Sequence, residues 1–154
     1  MREHTEGIRV RERQSDPESA EFDVDLVSDV RLIGRAVAYL SERCRAFAFE
    51  GSLVDLNLRV SVTEALANAI LYGNREDPEK TVRMEARIDP TAITVRVIDG
   101  GPGFDPDDVP DPTHEDRLES PRGRGVFLLR RLMDEVEYNE EGNVVRLVLR
   151  REEG

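Results

Sequence analysis

The chain has 154 residues, 38% hydrophobic and 36% charged, enough for one domain around one core. Its formal net charge of -11 repels phosphate backbones and argues against nucleic acid as a general partner. A single cysteine, Cys44, excludes an internal disulfide, no apolar run is long enough to cross a bilayer, and the first residues lack the apolar segment of a signal peptide, so a soluble cytoplasmic protein is expected.

Residues 1–20 are polar and mixed in charge and read as a mobile arm, in which Ile8 and Val10 could add a short strand. Residues 21–26 (EFDVDL) alternate apolar and acidic side chains, which suggests a strand. The period then becomes helical: Val30, Ile33, Val37, Leu40 and Cys44 recur at three and four residues, with Ser28 or Asp29 as N-cap and an end near Ala46. Gly51 and Ser52 punctuate, and a longer helix follows over residues 53–72, stopping on a left-handed cap at Gly73 and Asn74. Two alternating strands, 81–88 and 91–98, are joined by a turn at Asp89 and Pro90. Residues 99–122 are rich in Gly, Pro and Asp without periodicity, and a structureless stretch of that length usually serves function, for instance as a lid. A third helix over 125–133 and a hairpin of 135–139 and 143–150 close the chain. This order gives an α+β two-layer sandwich over residues 21–151, with helices on one face of a mixed, mostly antiparallel sheet.

Three stretches carry candidate chemistry. In EALANAILYGN, Glu64 and Asn68 stand four apart and share one helix stripe, while Val62, Ala65, Leu66, Ala69 and Ile70 face the sheet. A carboxylate and an amide without a cation beside them do little for a helix, so they either solvate an edge of the core or address a ligand. The second stretch, DGGPGF from Asp99 to Phe104, follows directly on a strand. Gly101 and Gly103 remove side chains where a ligand would approach and permit positive φ, and Asp99 can accept from an exocyclic amine such as adenine's. As a structural object, it is also an ordinary glycine-rich turn. The third, PRGRGVF, enters the last helix, where glycines before a helix leave outward N–H groups at its positive end. Arg122 and Arg124 add charge to that anion site, or are solvated arginines on a hinge. His4, His114 and Cys44 make no metal cluster.

In this order, with a lid between the second and third, the motifs resemble the N box and the two glycine boxes of the GHKL ATPase fold, over about residues 21–150. The wording of EALANAILYGN and of GRGVFLLRRLMD looks most like the bacterial anti-sigma-factor serine/threonine kinases. The resemblance implies that Asn68 holds Mg²⁺ against the triphosphate of ATP and that Asp99 reads adenine N6. It implies that Gly101, Gly103, Gly123 and Gly125 shape the pocket and lid, with backbone groups of residues 123–125 on phosphates. Glu64 is then the general base, and Asn74, at the end of the N box, serves the phosphates or the fold. Tyr72 stands where many relatives have His, and because Pro121 intervenes, Arg122 is the candidate for the lid arginine. The implied protein is an ATP-dependent kinase, usually a homodimer, that phosphorylates a STAS-type anti-anti-sigma partner and sequesters a sigma factor. The alternatives are a nucleotide-dependent partner switch without kinase activity and a catalytic domain serving a histidine phosphotransfer protein in trans.

Overall fold

The computed structural model of the chain describes residues 2–5, 7–47, 49, 51–101 and 121–151, and for 2–5, 14–15 and 121–124 the backbone alone. Most of the expected lid, including Gly103 and His114, therefore lies outside the described residues. The strands are β1 (Arg2–Thr5), β2 (Ile8–Asp16), β3 (Ser19–Val27), β4 (Thr81–Ile88), β5 (Ala92–Ile98), β6 (Glu135–Tyr138) and β7 (Val144–Arg150). They form one sheet in the order β1-β2-β3-β4-β5-β7-β6, and every neighbouring pair among these described strands is antiparallel. With the helices on one face, this is the expected α+β sandwich, without the parallel pair that a mixed sheet would contain.

Strict alternation decides which side of this sheet is dry. Phe22, Val24 and Leu26 of β3, Val82, Met84 and Ile88 of β4, and Ile93, Val95 and Val97 of β5 are all buried on the helix-facing side. The same strands present Glu21, Asp23 and Asp25, then Arg83, Glu85 and Arg87, to the other side, where Glu21 faces Arg87 and Asp25 faces Arg83 across the ladder while Asp23 faces Glu85. Arg83 Nε reaches Asp25 Oδ1 at 3.0 Å and Arg96 reaches Glu85 at 2.7 Å. Exposed pairs of this kind contribute about 0.2–1 kcal/mol each and chiefly keep the uncovered face wet.

Residues 2–5 and 7–20 are not a free arm. Ile8 and Val10 are buried, and β2 pairs with β3 from Ile8 opposite Leu26 onward. On the same inward side, Glu12 receives Arg43 of the first helix at 2.6 Å and the hydroxyl of Tyr39 at 3.1 Å. The outward residues of β2 are Arg9, Arg11 and Arg13, opposite Asp25, Asp23 and Glu21, and this charge hides the alternation.

Three helical stretches cover the apolar side. A 3₁₀ turn, Val30–Leu32, leads into α1 (Ile33–Ala46), with Asp29 as the cap that accepts from Arg31 N at 2.9 Å. Val30 sits on that turn rather than on the apolar stripe of α1 and is 40% exposed, whereas Ile33, Val37, Leu40 and Cys44 are buried as expected. Burial pushes the Cys44 thiol up to about 12, so it is inert at neutral pH. The second helix is continuous but uneven, with a π segment at Leu53–Leu58, α2 at Arg59–Asn68 and a π turn at Ala69–Gly73. The third, α3, runs over Pro121–Leu132, one turn earlier than the sequence suggests, with proline in its first turn. It carries the chain across the sheet and delivers β6 to the far edge, beyond β7.

Candidate functional site

The second helix places the expected polar pair on one stripe. Val62, Ala65, Leu66, Ala69 and Ile70 are buried, which fixes the helix's rotation and sets Glu64 and Asn68 at the margin of the core. Asn68 is only 9% exposed, yet its side chain makes no hydrogen bond among the described residues. The amide faces the cleft, where its N and O atoms keep contact with solvent, so it is placed to meet a ligand. Glu64 is half-buried and has no ion-pair partner among the described residues, and burial raises its carboxyl above the ordinary value. A Cβ on Gly125 would overlap Glu64 Oε1, so the absent side chain lets α3 lie directly against the carboxylate.

The end of this helix differs from expectation. Neither Gly73 nor Asn74 is left-handed; the positive φ angles fall on Arg75 (53°) and Glu76 (58°). Gly73 is needed for space instead, because a Cβ there would overlap the Asp99 carboxylate. Gly101 also has no positive φ, and a Cβ on it would overlap the carbonyl of Gly73. The two glycines thus let the loop after β5 cross the helix end backbone against backbone. Gly101 N donates to Asp99 Oδ1 at 2.8 Å, which orients the carboxylate at the crossing.

Asn74 serves the fold, as the lock of this junction. The π turn carries its backbone N–H to Ala69 O at 2.8 Å and turns the side chain inward, where it is 1% exposed. Its Nδ2 donates to Ser28 Oγ at 2.9 Å and Thr81 O at 3.1 Å, and its Oδ1 accepts from Gly100 N at 2.7 Å. No N–H of this amide remains for a phosphate. Replacing it by Ala removes three hydrogen bonds, one buried and two part-buried, and a loss of about 2–4 kcal/mol is expected in chemical unfolding.

At the entrance to α3 the expectation of loop glycines is corrected. Gly123 and Gly125 lie inside the helix, because its first turn starts at Pro121. Pro121 has no N–H, so within the helix the amides of Arg122 and Gly123 are the ones left without an intrahelical acceptor. Their donor set is that of an anion site, one turn from Glu64 through Gly125.

Asn68 and Asp99 meet in one cleft, of about 310 Å³ with its open mouth, near the lower end for ligand pockets. The enclosed part that water can enter is about 20 Å³. Ala65, Ala69, Val97 and Val145 make the apolar lining, and Tyr138, Gly142 and Asn143 make the far side. Sequence reasoning missed that far side, whose only signal is the pairing of β7 with β5. Among the described residues no group of three His, Cys, Asp or Glu could cage a metal. No helix among them is long and apolar enough to cross a membrane.

Helices on one side of an antiparallel sheet, with a cleft between the second helix, the end of β5 and the closing hairpin, define the class. Residues 26–149 match the histidine kinase-like ATPase domain, and the chain belongs to that ATP-binding family. Its similar curated relatives are anti-sigma F factors. That of Clostridium beijerinckii is 30% identical over 98 residues, 62% of this chain and 68% of the relative. That of Heyndrickxia coagulans is 34% identical over 92 residues, 56% of this chain and 63% of the relative.

Proposed function

We propose that the chain is an ATP- and Mg²⁺-dependent serine/threonine protein kinase of the anti-sigma type. It phosphorylates a STAS-type anti-anti-sigma protein, sequesters a sigma factor when that partner is absent, and works as a homodimer in the cytoplasm. The observation that carries this reading is the α2 stripe: a cleft-facing Asn68 amide with no protein partner among the described residues, one turn from a half-buried carboxylate with no counter-ion among them. The donor set fits the nucleotide and metal. Asn68 offers a hard oxygen, and a Mg²⁺ ion usually takes few protein ligands and completes its shell with phosphates and water.

Bound Mg²⁺–ATP supplies the transferable phosphoryl group and the charge neutralisation at it. The protein does the rest. Asp99 accepts from the exocyclic amine of the base, and the first-turn amides of α3, with Arg122 and Arg124, hold the phosphates. Glu64 orients the partner's Ser or Thr hydroxyl and takes its proton as the oxygen attacks. Because the transition state is loose, positioning matters more than base strength. The raised proton affinity of Glu64 suits a group that must accept a proton near neutral pH.

The test is incubation of the purified protein with ATP, Mg²⁺ and a panel of STAS-type proteins. Acid-stable phosphate on a partner Ser or Thr is expected, and it should disappear with Glu64→Gln. Nucleotide-dependent partner binding with no transfer across the panel would establish a switch in place of a kinase. Acid-labile phosphate would move the chemistry to histidine.

A further inference from the structure

The outer side of the second helix breaks the rule that α1 obeys. Val62, Ala65, Leu66 and Ile70 are buried against the sheet, so the opposite face should be charged, as Arg35, Glu42 and Arg45 make it on α1. Instead Leu56, Val60, Ala67 and Leu71 follow one another at steps of four, seven and four, the spacing of one helical stripe. Leu56 is 52% exposed, and Val60 and Leu71 are half-buried and stand outside the core cluster. Glu64 lies in the same stripe, four residues after Val60 and three before Ala67.

The last helix widens this strip. Gly125 lies against Glu64, and seven residues on, Leu132 O accepts from Asn57 Nδ2 at 2.7 Å. The helices are therefore antiparallel and matched level for level, which brings Leu128, 37% exposed, beside Val60. A lone exposed leucine needs no explanation, but an apolar strip about 20 Å long does. The strip is flanked by cations in a chain whose net charge is -11. Arg59 and Arg131 are exposed on its two sides, and Arg59 has no ion-pair partner among the described residues, while the nearby Asp55 is engaged by Arg45.

These features select the occupant. A helix crest is convex, so it does not enclose a small molecule. A permanent cover, such as a second copy of this chain, would bury Glu64 and shut out the hydroxyl that this carboxylate receives. What fits is a partner that brings the hydroxyl, lies across the strip and leaves again. We infer that the outer strip of the second helix, with Leu128, is the docking surface for the hydroxyl-bearing protein substrate, an inference that rests on the kinase reading of Glu64. The segment it grips is apolar, with acidic side chains placed to meet Arg59 and Arg131.

The test uses a STAS-type protein that wild type phosphorylates, in steady-state transfer assays at saturating Mg²⁺–ATP, beside calorimetry with Mg²⁺–ATP alone. Leu56→Asp, two turns before Glu64, should raise the KM for that protein about tenfold and keep kcat and nucleotide affinity, because docking is lost and chemistry is not. Adding Leu128→Asp should bring the rise to about 100-fold. Arg59→Glu should also raise KM and flatten its dependence on salt. Arg9→Glu, the same reversal at an exposed site on the uncovered sheet face, should leave KM unchanged. Thermal melts followed by circular dichroism confirm that the variants fold. An unchanged KM in both leucine variants, or an equal rise with Arg9→Glu, would overturn the inference and leave the kinase reading standing. A leucine variant that alters only ATP affinity would mean that the chain's own residues cover the strip, and one that alters only the mass in light scattering would mean that a second copy does; either overturns the inference. If wild type phosphorylates no member of the panel, the kinase reading falls, and this inference with it.

Discussion

Glu64→Gln should slow phosphoryl transfer about 10²–10⁴-fold while leaving nucleotide affinity close to wild type, because the amide cannot accept the hydroxyl proton. The same change should stabilise the protein at neutral pH. Burial without a counter-charge raises the carboxyl in the folded state, so the folded protein holds its proton more tightly than the unfolded chain. Stability attached to this group is therefore greatest where it is protonated and falls as pH rises from the unfolded value through the folded one. The melting temperature of Glu64→Gln should exceed that of wild type at pH 8, and the gap should close as pH drops below the ordinary carboxylate range. In wild type the transfer rate should fall on the acid side through the raised folded value. Rate loss without a gain in stability would mean that the carboxylate carries no burial cost where α3 meets it. A gain in stability with an unchanged rate would remove Glu64 from the chemistry.

Gly101→Ala is expected to be the most damaging single methyl group among the described residues of the site. The added carbon would meet the carbonyl of Gly73, and backbone on both sides cannot rotate away as a side chain would. A cost of about 3 kcal/mol or more is expected, at the upper end for overpacking. For a domain of this size that lowers the melting temperature by roughly 6–12 °C. Gly34→Ala is the matched control. Gly34 lies in α1 with nothing within 4 Å of its Cβ position, so alanine there should stabilise by about 0.5–1 kcal/mol. Equal effects at the two positions would contradict the crossing of helix end and loop.

The legibility of this protein follows the range of the forces involved. α1, β4, β5 and the closing hairpin announce themselves because their periodicities are local and one face of each is apolar. Glu64, Asn68 and Asp99 stand out in the sequence as polar groups beside apolar runs, and the structure brings Asn68 and Asp99 to one cleft while also giving Asp99 a bond from Gly101 N. β2 was obscured since its outward residues are charged and only Ile8 and Val10 speak for the core. The place of the left-handed turn was missed because Gly73 looks like a cap and is in fact a gap for Asp99, a need created by another strand. The hairpin side of the cleft was missed for the same reason, because its place depends on a ladder formed by segments more than forty positions apart.

The cleft has unequal walls. On one side, Asn74 ties together the helix end, β4 and the loop after β5, and the Gly73–Gly101 crossing leaves these parts no slack. On the other side stands the tip of a hairpin whose outer strand, β6, has four residues and one neighbour. Give in the cleft is therefore expected on the hairpin side, with the helix end acting as doorpost and the tip as the door.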